Sequence, residues 1–170
     1  KLRARSCAIV SGADTVMLDD ARLTVRAGQL ELPEWQKELA LQRQPLRVLV
    51  DSRHRVATGA VFFQAGPALV ASVQPPPQLA AQAQWLPLAS HGAHVDLADL
   101  LTQLVRQHQV NEVLVEAGPS LAGAFLQAGL LDELVVYMAG KLMGSSARPL
   151  FELPLTQMAD SVALRIEDIR

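Results

Sequence analysis

Short apolar runs alternate with longer stretches of helical spacing along the chain. Residues 8–11, 47–52 and 112–115 read as short strands, because each run is apolar and bounded by turn residues. Residues 96–108 predict an amphipathic helix, since leucines and valine recur at helical spacing behind an acidic start. Strands that alternate with helices in this way predict an α/β fold with a largely parallel sheet.

Less regular segments complete the pattern. Three consecutive prolines, Pro75–Pro77, exclude a helix or a central strand at that point, and we expect one or two helical turns after them. The remaining predicted elements are the end of a helix over 1–6, short helices over 13–20 and 119–127, a helix within the polar stretch 30–44, and strands over 134–138 and 162–170.

Composition narrows the class of protein. The 170 residues suit one domain, and half of them are hydrophobic, which permits a substantial core. A net charge of −2 gives no electrostatic reason to expect a nucleic acid partner, and no apolar run is long enough to cross a membrane. The single cysteine, Cys7, excludes an internal disulfide and favours the cytoplasm. His91 and His94 lack further ligands nearby, so no metal site is predicted.

A glycine turn follows the predicted strand at 112–115. In open α/β sheets ligands bind beyond the carboxyl ends of the strands, and Gly118, Pro119 and Ser120 stand at such an end. Proline suits the first helical position, and the free N–H groups of a helix start can hold a phosphate. The same residues fit a plain strand-to-helix turn equally well, with the small residues serving only packing.

The charged residue Glu116 and the charged residues between positions 19 and 26 each allow more than one interpretation. Glu116, directly behind the strand, is costly to bury alone, so it either caps a neighbouring loop or binds a hydroxyl or amino group of a substrate. Asp19 and Asp20, followed by Arg22 and Arg26, are by themselves typical of a helix end and a solvated turn.

Taken together, four stretches resemble one known family. They are "LRARSCAIVSG", "TVMLDDARLTVR", "RVLVDSRHRV" and "VLVEAGPSLAGAFLQAGLLDELVVYMAGKLMGSSARPLF". In this order they resemble the reductase domain of the bacterial bifunctional riboflavin-biosynthesis deaminase/reductase. The resemblance implies a dihydrofolate-reductase-like three-layer sandwich, with a mostly parallel central sheet flanked by helices.

The resemblance also implies an activity. The expected reaction is NADPH-dependent reduction of the ribosyl group of 5-amino-6-(5-phosphoribosylamino)uracil to a ribityl chain. The implied substrate residues are Arg3, Leu23, Arg26 and Glu116. The implied cofactor residues are Thr15, Asp19, Ser52, Arg53, Gly118, Pro119, Ser120, Leu121, Ala122, Gly123 and Ala124, and Asp19 is the candidate for catalytic proton or hydrogen-bond duty. Two arginines suit a phosphorylated substrate, and hydride transfer needs no protein nucleophile.

The same resemblance sets expectations about the whole protein. Residues 1–170 would form a single reductase domain whose first and last strands lie outside the chain, and the chain alone would be weakly active or inactive. The zinc deaminase domain of the family, and with it the zinc ion, would lie outside the chain. We expect a cytoplasmic homodimer.

Two other functions fit the residues. One is an NADPH-dependent reductase acting on a pterin or another pyrimidine. The other is a non-catalytic module that binds a nucleotide at Gly118. Arg3 and Arg26 favour a phosphorylated substrate over the first alternative, and only turnover of that substrate separates the second.

Overall fold

A five-stranded parallel sheet forms the centre of the computed structural model, which describes residues 1–144 and 146–169. The strands are β1 (Ala8–Gly12), β2 (Leu46–Val50), β3 (Ala68–Ser72), β4 (Ala83–Pro87) and, later in the chain, β7 (Val113–Val115). Their spatial order is β4-β3-β2-β1-β7, so β1 is central and pairs Ala8 with both Leu46 and Val113. The predicted parallel α/β architecture is confirmed.

Helices cover both faces of this sheet. They are α1 (Leu2–Arg5), α2 (Ala13–Asp19), α3 (Glu34–Gln42), α4 (Val61–Gln64), α5 (Leu97–His108) and α6 (Pro119–Gln127). A two-stranded antiparallel ribbon, β5 (Ser90–His91) and β6 (His94–Val95), precedes α5, and 3₁₀ turns lie at Ala27–Gln29 and Met158–Asp160. No helix in the described part of the chain has the length and apolar character needed to span a bilayer.

Two apolar cores separate the three layers. On one face, Leu100 and Leu104 of α5 and Phe125 of α6 are fully buried against Val10 and Val48 of the sheet. On the other face, residues of α2 and α4 pack on Ile9 and its neighbours. Successive strand residues point to opposite faces, so these apolar runs must supply both cores at once.

Helix α5 begins where its sequence indicates. The Asp96 side chain accepts hydrogen bonds from the backbone N–H of Ala98 at 2.9 Å and of Asp99 at 3.0 Å. Such a cap satisfies N–H groups that have no partner within the helix. The predicted acidic helix start is therefore confirmed.

Three local predictions are wrong. Residues 134–138 form no strand, and Tyr137 and Met138 are 84% and 91% exposed, because no neighbouring strand pairs with them in the described chain. Residues 162–169 likewise have no regular structure, and Arg170 lies outside the described residues. The expected helical turns after Pro77 are replaced by a turn leading into β4, where pairing of Ala83 with Ala68 overrides local helix propensity.

Candidate active site

The carboxyl ends of β2, β1 and β7 lie side by side at one edge of the sheet. Predicted cofactor residues follow each of these strands. Ser52 and Arg53 form an exposed turn after β2, Thr15 lies in the first turn of α2 after β1, and Gly118 follows β7. A methyl group placed on Gly118 would lie 3.7 Å from Thr15 Oγ1, so the starts of α2 and α6 lie close together. The fold thus brings these three segments together.

The turn that carries Ser52 and Arg53 is held from below by Asp51. This aspartate is 3% exposed, and its Oδ2 accepts the backbone N–H of Val56 at 2.9 Å. The backbone N–H of His54 donates to the Asp51 carbonyl at 3.2 Å and closes the turn. A buried anchor therefore positions two exposed polar side chains.

The start of α6 has the predicted form. Gly118 is the N-cap with extended backbone angles, and Pro119 occupies the first helical position. Beside this helix start lies Glu152, whose Oε2 accepts a hydrogen bond from Ser120 Oγ at 2.5 Å. The backbone N–H of Glu152 also donates to the Pro119 carbonyl at 3.1 Å. A carboxylate is thus placed near the positive end of the helix, where anions are stabilised.

Gly123 is explained by the same segment. A side-chain carbon on Gly123 would overlap the backbone carbonyl of Glu152, so only glycine permits this close approach. Gly123 is buried, and its implied role as a cofactor contact stays a prediction. In the structure the small residue serves packing of the chain near 152 onto α6.

Arg3 and Glu116 form an ion pair through two hydrogen bonds. Arg3 Nε donates to Glu116 Oε2 at 2.8 Å, and Arg3 Nη2 donates to Oε1. This hydrogen-bonded pairing raises the pKa of the Arg3 guanidinium. The Glu116 backbone is fixed as well, because Ser11 Oγ donates to its carbonyl at 2.7 Å. The carboxylate that the sequence left without a partner is therefore paired and positioned.

A groove of about 880 Å³ runs along β7 and contains this ion pair. Arg26 also lines this groove, so three of the four predicted substrate residues line it. Within the described chain, Arg26 forms no ion pair, which leaves its charge available to an anion. Arginine beside a carboxylate can bind a phosphorylated, hydroxyl-bearing molecule.

Two predicted residues lie elsewhere. The Leu23 side chain is 1% exposed in the apolar core, so it does not reach the groove, although its backbone has a positive φ of 53°. Asp19 is exposed at the last residue of α2 and is not among the residues that line the groove. Their implied substrate and catalytic roles stay predictions.

Sequence reasoning missed two side chains that hold the segment before Arg26. Arg47 is 2% exposed, and its guanidinium donates to the carbonyls of Arg22 at 3.2 Å and Pro67 at 3.0 Å, and to those of Phe62 and Gly66. Burial lowers its pKa. Gln44 pairs with the backbone of Val25. These contacts join residues far apart in the chain, so no local sequence pattern predicts them.

Among the described residues, no group of three or more His, Cys, Asp or Glu side chains could hold a metal ion.

Comparison with known proteins identifies the family of the chain. The RibD C-terminal domain family model matches residues 1–170. The chain belongs to this family. The chain is 43% identical over 180 aligned positions to the riboflavin biosynthesis protein RibD of Escherichia coli K12, covering 99% of this chain and 47% of that protein.

Two other relatives extend this result. A reductase of Archaeoglobus fulgidus, named for 2,5-diamino-6-ribosylamino-4(3H)-pyrimidinone 5′-phosphate, is 34% identical over 88% of this chain and 68% of its own length. Acinetobacter baumannii RibD, form 2, superposes with a TM-score of 0.82 at 33% identity, covering 98% of this chain and 44% of that one. The dihydrofolate-reductase-like fold is confirmed. The chain spans about half the length of the RibD proteins it matches.

Proposed function

We propose that this RibD C-terminal domain catalyses NADPH-dependent reduction of the ribosyl group of 5-amino-6-(5-phosphoribosylamino)uracil, a step of riboflavin biosynthesis. One observation carries the proposal: Arg3, Arg26 and Glu116, from three parts of the chain, line one groove that runs along β7. The printed name of the Archaeoglobus relative, a reductase of a ribosylamino-pyrimidine 5′-phosphate, supports the same substrate class.

Different residues of the groove bind different parts of the substrate. Among the described residues, Arg26 lines the groove without forming an ion pair, and it suits the 5′-phosphate, which arginine binds through two parallel hydrogen bonds. Glu116, already oriented by Arg3 and by Ser11, suits a hydroxyl of the ribosyl chain or an amino group of the pyrimidine. Arg3 holds the Glu116 carboxylate in a fixed orientation through two hydrogen bonds.

The strand ends suit a dinucleotide. Thr15, Ser52 and Arg53 follow adjacent strands, and the start of α6 at Gly118 offers backbone N–H groups to a phosphate. Arg53, exposed in its turn, would neutralise the 2′-phosphate that distinguishes NADPH. When bound, the cofactor supplies the hydride. Asp19 is the carboxylate we assign to proton or hydrogen-bond duty near it.

The test is turnover of the named substrate, followed by loss of NADPH absorbance, with any sequence that flanks residues 1–170 retained. We expect wild-type turnover and a fall in kcat/KM of roughly 10- to 1,000-fold in Glu116→Gln and Arg26→Ala, the range typical of losing a charge-assisted contact. Arg106→Ala, on the exposed side of α5, is the matched control and should retain activity. Wild-type protein that binds NADPH without turnover would instead indicate another substrate or a non-catalytic nucleotide-binding module.

We also propose that the protein is a cytoplasmic homodimer. Large apolar side chains are concentrated on the surface after Leu134, including Val136, Tyr137 and Met138. Exposed apolar side chains concentrated in this way commonly mark a subunit contact. Sedimentation velocity should show a dimer that Val136→Asp dissociates. A wild-type monomer at tens of micromolar would count against it.

A further inference from the structure

The segment 20–26, here called the substrate loop, joins α2 to the 3₁₀ turn at Ala27–Gln29 and ends at Arg26. It has no regular secondary structure. Asp20 and Leu23 adopt positive φ angles of 47° and 53°, which non-glycine residues rarely adopt. Such a backbone keeps one conformation only when surrounding contacts hold it.

Gln44 supplies one of these contacts. It lies between α3 and β2, and its side-chain Oε1 accepts the backbone N–H of Val25 at 2.9 Å. Its Nε2 lies 3.4 Å from the Val25 carbonyl, to which it donates. The amide therefore pairs with both backbone groups of one residue, as the neighbouring strand of a sheet would. Val25 directly precedes Arg26.

Two arginines hold the same loop at other points. Arg3 Nη1 donates to the Thr24 carbonyl at 3.0 Å, and Arg47 Nη1 donates to the Arg22 carbonyl at 3.2 Å. Arg47 is buried, so its loss would disturb the core, and Arg3 is bound to Glu116. Gln44 is exposed apart from its amide contact and does not line the groove. Replacing Gln44 therefore changes how the loop is held without disturbing the core or the ion pair between Arg3 and Glu116.

We propose that Gln44 is a positioning residue for the reduction: by fixing the Val25 backbone it sets the place of Arg26 in the groove. This inference rests on the proposed function. Gln44 touches neither substrate nor cofactor and acts through the loop alone. A change at Gln44 must therefore alter binding of the phosphorylated pyrimidine and leave binding of NADPH unchanged.

The kinetic test compares Gln44→Ala and Gln44→Glu with Gln42→Ala, an exposed glutamine at the last residue of α3. We expect KM for the pyrimidine substrate to rise about five- to tenfold in Gln44→Ala, the size of one lost hydrogen bond. Gln44→Glu, which keeps an acceptor for the Val25 N–H but loses the donor, should show a smaller rise. KM for NADPH should stay at its wild-type value, the melting temperature should fall by roughly 2–4 °C at most, and Gln42→Ala should match wild type throughout.

A double variant tests whether Gln44 acts through Arg26. In the Arg26→Ala background, Gln44→Ala should change the substrate KM by less than twofold, because the group it positions is gone. An effect as large as in wild type would overturn the proposal. So would an unchanged pyrimidine KM in Gln44→Ala, or equal changes in both KM values.

Amide hydrogen exchange tests whether Gln44 holds the loop, independently of whether the protein is a reductase. Without ligands, the Val25 amide should exchange at least tenfold faster in Gln44→Ala than in wild type or Gln42→Ala. Unchanged exchange would show that Gln44 does not hold the loop. Absence of wild-type turnover, with fast exchange in the variant, would refute the reductase assignment while leaving the loop contact in place.

Discussion

Arg3 and Glu116 lie 113 residues apart in the chain and are joined by two hydrogen bonds in the folded protein. Their side chains are 28% and 38% exposed, so the pair is neither buried nor fully hydrated. Each residue fixes the orientation of the other within the groove. The pair therefore orders a binding surface more than it stabilises the fold, since partly exposed ion pairs contribute little to stability.

Breaking this pair should cost activity far more than stability. In Arg3→Lys the charge remains but the two-point geometry is lost, and we expect kcat/KM to fall roughly 10- to 100-fold. The free energy of unfolding should fall by about 1 kcal/mol or less in denaturant titration. Arg165→Lys, in the exposed pair with Glu167 and outside the residues that line the groove, is the control and should keep wild-type kinetics. Equal losses in both variants would contradict the assigned role of Arg3.

Gly123 should tolerate no side chain. Gly123→Ala places a carbon against the backbone carbonyl of Glu152, which must move away from α6. We expect unfolding to become easier by about 1–3 kcal/mol, the range for overpacked sites. Gly59→Ala is the matched control, because a carbon at Gly59 meets nothing within 4 Å. A Gly123→Ala protein as stable as Gly59→Ala would mean that the contact with Glu152 is not kept in solution.

Glu152 should weaken binding of a phosphate-bearing cofactor. Its carboxylate is bound to Ser120 at the start of α6, where it repels another anion and competes for the same hydroxyl. Glu152→Gln removes the charge while keeping the shape. We expect the Kd for NADPH, measured by fluorescence titration, to fall about two- to fivefold. The effect should shrink at high salt, and Glu167→Gln, in an exposed pair with Arg165, should have none.

Cys7 should react at lower pH than an ordinary thiol. Backbone hydrogen bonds at Asn111 and Glu112 lower its pKa below the usual 9.0, and Arg43 Nη2 donates to its sulfur at 3.1 Å. Alkylation by iodoacetamide should therefore reach half its maximal rate below pH 9.0. Since the folded pKa is depressed, the thiolate stabilises the fold above the unfolded pKa, and this contribution is lost as pH falls through the folded pKa.

The arginine contribution to the Cys7 thiolate has its own control. Arg43→Ala should move the alkylation midpoint only part of the way up, because the backbone contacts are the larger cause of the shift. A midpoint at the ordinary thiol value in wild type would show that these contacts do not reach the sulfur in solution.

Local signals predicted the elements that carry the site. Asp96 indicates the start of α5, and Gly118 with Pro119 indicates the start of α6. Helix caps can be predicted because they depend on residues next to each other in the chain. Residues 134–138 have an equally strong apolar pattern but form no strand, since a strand also needs a partner.

The contacts that complete the site were beyond the reach of the sequence. The resemblance to a known family identified Arg3, Leu23, Arg26 and Glu116 as a set, and the structure shows that all of them except Leu23 line one groove. Nothing in the chain indicated that Arg3 would bind Glu116 directly, or that Gln44 would bind Val25. Such contacts are decided by the packing of distant segments, which periodicity and spacing do not describe.

The central strand meets its two neighbours at very different times during synthesis. Ala8 of β1 pairs with Leu46 of β2 and with Val113 of β7, so the second pairing closes a far longer loop. The first four strands can assemble as a sheet while β7 is still to be made, and Glu116 follows β7. The groove is therefore complete only when β7 has docked on β1. A ligand that binds across β1 and β7 stabilises the finished protein and none of the partly assembled forms that precede it.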